Sequence, residues 1–167
     1  MQRIIIVTLA SLLFFTAGAW SYDEHKIKRF RQNIPSIAKQ FIGIPYQYGG
    51  NPVLSKTTDN SHLFYSIYEQ AAQHAGLIYQ EYKPMKYLLP GLEEVGEDDL
   101  ENGDLMVLNN LHSAMVYQID KSGKIHLIYA SGKRKQVLTF NSDNVVFHVY
   151  WLKNLKGFYR LSAGSLR

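Results

Sequence analysis

Residues Tyr46-Gln47-Tyr48-Gly49-Gly50 form an aromatic, glycine-rich loop that leads to Thr58-Asp59-Asn60-Ser61-His62, where an apolar-periodic stretch begins. From Asn60 onward, Leu63, Phe64, Ile67, Tyr68, Ala71 and Ala75 recur at helical spacing. Asp59 stands where an N-cap acceptor satisfies the free amides of a first turn. Gly76 suits the C-terminal end. This is the best-defined helix in the chain, and Asn60 opens it directly behind the loop.

The rest of the chain orders itself around that helix. Ile34, Ile37, Ala38, Phe41 and Ile42 show helical spacing after a polar lead-in over 20–33, and Gly43 and Pro45 stop it. The loop 46–56 is rich in Gly, Asn and Pro. The segment 79–99 reads as irregular, punctuated by Pro84, Pro90 and Gly91 and acidic at Glu93, Glu94, Glu97, Asp98 and Asp99. Beyond Leu100 the apolar period changes to two, which predicts strands over 104–108, 112–120, 124–130, 136–140, 145–152 and 157–161. Asp120-Lys121-Ser122-Gly123 reads as a hairpin turn. Helices first and a strand meander afterwards indicate an α+β domain, N-terminal helices packed on an antiparallel sheet of about five to six strands. The domain occupies 34–161 and leaves 162–167 as a tail.

The first residues read as an export signal. Arg3 is a short basic start, Ile4 to Phe15 is apolar except for Thr8 and Ser11, and Ala17-Gly18-Ala19 offers the small residues of a cleavage site. Segment 1–19 is therefore expected to be removed, leaving a mature chain that starts near Trp20. The alternative, a retained anchor, meets the difficulty that a span needs about 20 apolar residues. No stable membrane span is expected after cleavage, and with no cysteine in the chain a lipid-modified N-terminus is excluded. What remains suffices for one domain with a real core. Loss of Arg3 lowers the net charge from +4 to +3. Lys26, Lys28, Arg29 and Arg31 cluster near the mature start, and Lys133, Arg134 and Lys135 form a second run. Both read as solvated surface, with attraction to anionic cell-wall polymer or lipid headgroups as the functional alternative. No basic-aromatic nucleic-acid motif accompanies them. His25, His74 and His148 are scattered without metal-ligand spacing, and no cofactor is expected.

Taken together, Tyr46 to Gly50, Asp59 to His62, Leu100-Glu101-Asn102-Gly103-Asp104-Leu105-Met106, His112 to Tyr117 and Ile128-Tyr129-Ala130-Ser131 resemble, in order, the motifs of the NlpC/P60 family of papain-like cell-wall peptidases. That family writes Tyr-x-Tyr-Gly-Gly, then Asp-Cys-Ser-Gly opening a helix, then Leu-x-x-Gly-Asp-Leu, His-Val-Gly-Ile-Tyr and apolar-His-Ala-Ser. The resemblance implies the papain-like fold. It implies a thiolate favoured by a helix N-terminus, a strand-borne histidine to hold the proton, and donors for the oxyanion. By the same resemblance His112 matches the base, Tyr129 the position of its orienting partner, and Tyr46 the oxyanion tyrosine. Asp59 and Ser61 match positions that contact the free amine end of a substrate peptide, and His62 replaces a glycine beside the cleft.

The departures fall at the chemistry. Asn60 occupies the nucleophile's position, and the nitrogen lone pair of its amide is delocalised into the carbonyl. Tyr129 stands where a histidine is expected. Ser61 is one residue along the helix and about 100° around its axis, so it does not point where the thiol would. His126 and Tyr129, three apart on a strand, face opposite sides. No catalytic group is therefore expected to function, and Asn60, His112, Tyr129 and Tyr46 are vestigial. Asp59, Ser61, Tyr46 and His62 are the ligand-binding candidates. Asp59 as a plain cap, Ser61 as first-turn filler and His112 as a hydrogen-bonded strand end are the structural alternatives. Tyr65, Tyr68, Tyr79, Tyr82 and Tyr87 divide between core and cleft lining. The leading expectation is an exported, inactive domain that binds a peptidoglycan-derived or other peptide. The alternatives are a hydrolase with an unrecognised nucleophile and an interaction module whose cleft is filled.

Overall fold

A computed structural model describes residues 24–167; the expected export signal, 1–19, lies outside the described residues. The helical spacing read over 34–42 is the second half of a longer helix, α1, at 24–39. Phe30, Ile34, Ile37 and Ala38 are fully buried, and Phe41 follows them into the core from the turn beyond. The first half of α1 is masked in the sequence because Lys26, Lys28, Arg29, Arg31 and Gln32 crowd its outer face around Ile27 and Phe30.

Helix α2 spans Asn60–Ala75 and ends as its sequence predicts. Gly76 takes a left-handed conformation (φ 72°), and the N–H groups that follow close on carbonyls of the last turn. Its inner face places Leu63, Phe64, Ile67, Tyr68 and Ala71 in the core. Each large apolar side chain so buried contributes about 1.5–3 kcal/mol. A short helix, α3, follows at Met85–Leu88.

Six antiparallel strands make one sheet: β1 Leu92–Val95, β2 Leu105–Leu108, β3 Ser113–Ile119, β4 Ile125–Ser131, β5 Gln136–Asn141 and β6 Leu155–Leu161. Their spatial order is β1-β6-β2-β3-β4-β5. Strand β1 lies in the segment read as irregular. It is an edge strand whose Glu93 and Glu94 are exposed, so no apolar alternation announces it. The strand expected over 145–152 is instead a helical turn, Phe147–Trp151, continued by a tighter turn at Leu152–Asn154. Valine-rich stretches favour strands locally. Here Phe147 and Trp151, four residues apart, both reach one buried site, and that spacing fits a turn of helix.

The two sheet faces carry separate cores. Leu105, Val107, Met115, Tyr117, Ile128, Ala130, Val137, Tyr159 and Leu161 face α1 and α2. Met106, Leu108, Ala114, Val116, Leu127 and Phe158 face the opposite way and are covered by Phe147 and Trp151. The architecture is α+β.

The Gly103-Asp104 pair ties the helices to the sheet. Gly103 is at φ 97°, where a side chain is disfavoured, and its carbonyl accepts from the Tyr68 hydroxyl at 2.5 Å. Asp104 is fully buried and accepts from Arg160 through both oxygens, at 3.0 and 2.7 Å, and from the Glu101 amide at 2.8 Å. Arg31 of α1 reaches the same carboxylate at 3.4 Å and pairs with Glu101 at 2.6 Å.

Candidate functional site

The candidate site is built where α2 begins and β4 ends. The Asp59 carboxylate caps α2 by accepting from the His62 amide at 2.9 Å, and its second oxygen accepts from the Gly49 amide, also at 2.9 Å. One side chain thus fixes both the helix start and the glycine-rich loop. The His62 ring nitrogen Nδ1 lies 3.2 Å from the same carboxylate. The ring stacks on Tyr82, with centroids 4.0 Å apart and planes at 18°. Burial first, then the nearby Asp59 carboxylate, raise the Tyr82 phenol above its ordinary pKa. Ser61 Oγ accepts from the Met85 amide at 3.1 Å, so the segment carrying Tyr82 is anchored across the first turn of α2.

Asn60 Oδ1 accepts a hydrogen bond from the Ala130 amide at 2.6 Å. The reason lies in the sheet. Pairing between β3 and β4 runs from Met115↔Ile128 to Ile119↔Ile125, so the last residues of β4 have no ladder partner on the β3 side. On the other side of β4, Val137 is opposite Ala130 but gives its own N–H and C=O to Ile44 and Gly43. The Ala130 amide therefore points into the split between β3 and β4. The amide oxygen of Asn60 fills the role a ladder carbonyl would play.

Tyr46 reaches the same place from the loop. Its amide donates to the Lys135 carbonyl at 2.9 Å, and its backbone bridges Thr58. Its ring lies over Gly132, where an added methyl group would sit 3.4 Å from Cε1. Tyr46, Asp59, Asn60, Ser61 and His62 are thus brought together.

His112 and Tyr129 meet each other on the other face of the sheet. The His112 ring meets Tyr129 edge-on at 5.6 Å and lies against Trp151 at 5.1 Å. Tyr129 in turn contacts Phe140 at 5.6 Å and Trp151 at 5.4 Å. These rings belong to the core on the face away from α2. Burial lowers the pKa of His112 below its ordinary value, because desolvation penalises the cation. The residue of β3 on the α2 side is Ser113, which shares that face with Met115 and Tyr117. Ser113 is buried, and its hydroxyl is the one buried side-chain polar atom without a hydrogen-bond partner among the described residues.

The structure sets this: Met115 and Tyr117 face α2, and alternation along β3 then sends Ser113 to the same side and His112 to the other. Of the five tyrosines divided between core and cleft lining, Tyr82 stacks at the site, Tyr68 is core and Tyr87 is 65% exposed. Trp151, which holds His112, lay in a segment read as strand. Among the described residues no three His, Asp or Glu side chains converge as metal ligands. The arrangement presents a carboxylate, an imidazole and aromatic rings beside a helix N-terminus. It offers hydrogen bonding and stacking, without a nucleophile at residue 60.

No protein-family model matches the chain, and no curated protein matches it. Among solved structures the chain is similar to the crystal structure of a protein from Staphylococcus aureus subsp. aureus Mu50, described as similar to lipoprotein, NLP/P60 family. The two share 18% identity with a TM-score of 0.53 over 79% of this chain and 41% of the other. The chain thus spans less than half the length of that protein. At such identity the likeness is one of fold, and the fold of this chain is NlpC/P60-like.

Proposed function

We propose that this chain is an exported, catalytically inactive NlpC/P60-like domain that binds a peptide, of cell-wall origin, at the start of α2. The observation that carries the reading is the bond from the Ala130 amide to Asn60 Oδ1, 2.6 Å long. The residue at the nucleophile's position spends its side chain on closing the sheet, and no cysteine exists elsewhere to replace it. Binding rests on Asp59, held rigid by two amides and bordered by Tyr46, Ser61 and His62, as a carboxylate suited to a peptide's free amine. Export rests on the sequence of 1–19. Among the described residues no helix is long and apolar enough to cross a membrane.

Titration calorimetry with a muropeptide tests this. Asp59→Asn keeps an acceptor at the cap but removes the charge. The wild type is expected to bind, and the variant to bind about tenfold more weakly, as loss of a charge-assisted bond implies. Neither protein is expected to cleave a γ-glutamyl-diamino-acid bond. Negligible binding by both would sink the reading.

Two observations favour a second reading, an interaction module with a filled cleft. Ser61 already serves the Met85 amide, and His62 is already stacked on Tyr82. In that case muropeptide binds only after Tyr82→Ala clears the first turn, and the natural protein works through another surface.

A further inference from the structure

The turn that closes the far face of the sheet also carries apolar side chains on its solvent side, with His148 exposed among them. Phe147 and Trp151 turn inward and are 2% exposed. Val145, Val146, Val149 and Tyr150 turn outward, with exposures of 67, 45, 52 and 42%. All four remain exposed, although the Tyr150 ring also meets Trp151 edge-on at 6.1 Å. Leu111, 37% exposed, follows on the side where the neighbouring His112 ring lies against Trp151. Basic groups border the same segment. Lys153 and Lys156 are exposed and have no ion-pair partner among the described residues. The nearest acid in sequence, Asp143, is paired with Lys124 at 2.6 Å. The exposed run Lys133-Arg134-Lys135 joins β4 to β5.

We propose that this turn is a peripheral docking site for a lipid bilayer surface carrying anionic headgroups. The three valines and the Tyr150 ring enter the boundary between headgroups and acyl chains. The Tyr150 hydroxyl stays at the polar level, and Lys153 and Lys156 meet headgroup phosphates. A second copy of the chain fits less well. Protein interfaces take roughly 20–30 residues a side, against five exposed apolar side chains here. Self-association would also bring unpaired lysines toward lysines. This inference is independent of the peptide site, because the turn lies on the opposite face of the sheet from α2.

Hydrogen exchange of the full chain, with and without vesicles, reads the turn directly. Exchange of amides 145–154 is expected to slow with vesicles of phosphatidylcholine and phosphatidylglycerol and to be unchanged with phosphatidylcholine alone. Lys153→Gln with Lys156→Gln, both at exposed sites, is expected to weaken partitioning about fivefold per lysine. Val149→Asp with Tyr150→Asp is expected to abolish the slowing while the exchange of α2 amides stays native. Equal slowing by both vesicle types, or none by either, overturns the proposal. So does binding through the N-terminal apolar run that leaves 145–154 unchanged. Slowing that appears on raising protein concentration without lipid overturns it in favour of a second copy.

Discussion

Asn60 carries more of the fold than a first-turn residue ordinarily does. Its carbonyl is the partner of a sheet amide that no strand reaches, so Asn60→Ala leaves the Ala130 N–H unsatisfied. A loss of about 1–3 kcal/mol is expected, read as a lower urea midpoint, and Asn60→Asp, which keeps an acceptor, loses less. His112 sets a pH dependence. Its pKa is lowered in the folded chain by burial, so between that value and the ordinary 6.5 the unfolded chain binds more protons. Stability is therefore complete above pH 6.5 and falls as pH drops through the window beneath it. Urea unfolding at pH 5 and 7.5 is expected to show this loss. In His112→Phe, which keeps a ring against Trp151, the difference between the two pH values should shrink. The identity of residue 60 and its consequence for thiol chemistry were legible in the sequence. The bond it makes was not, because its partner is 70 residues away. His112 was named from its place in a motif, and only strand alternation and the Trp151 contact show which face it takes.

Among the elements, α2 was read correctly at both ends because cap, apolar period and stop signal agree. Its start depends on one carboxylate. Asp59→Ala removes the cap and the partner of the Gly49 amide together, and about 1–2 kcal/mol of destabilisation is expected by thermal or chemical denaturation. Asp59→Asn keeps one acceptor, enough for the His62 amide at the cap but not for the Gly49 amide as well, so an intermediate loss is expected. The elements read less well were those whose identity depends on a neighbour. Strand β1 exists because β6 offers it an edge, and its exposed glutamates hide it from pattern. The 145–152 segment has a strand's composition, but the aromatic pair Phe147 and Trp151 draws it into a turn over the second core. The first half of α1 was obscured by its charges, although Phe30 is fully buried.

For the whole molecule, the decisive contact joins helices to sheet. Asp104 is buried between Arg160 of β6 and Arg31 of α1. Asp104→Asn breaks a buried ion pair while keeping the shape of the side chain. A cost of about 3–5 kcal/mol is expected, measured as a fall in the unfolding midpoint, with α1 amides exchanging earlier than those of α2. The sequence by itself determined the α+β class, the absence of a thiol nucleophile, helix α2 and most of the strands. These follow from residue identity and local period, which the chain carries without reference to its fold. Tertiary structure decided that Asn60 closes the split between β3 and β4, that Ser113 rather than His112 faces α2, and that the run at 145–150 presents an apolar surface to solvent. Each depends on cross-strand register or on a partner distant in sequence, and register is set only when both faces of the sheet find their cores.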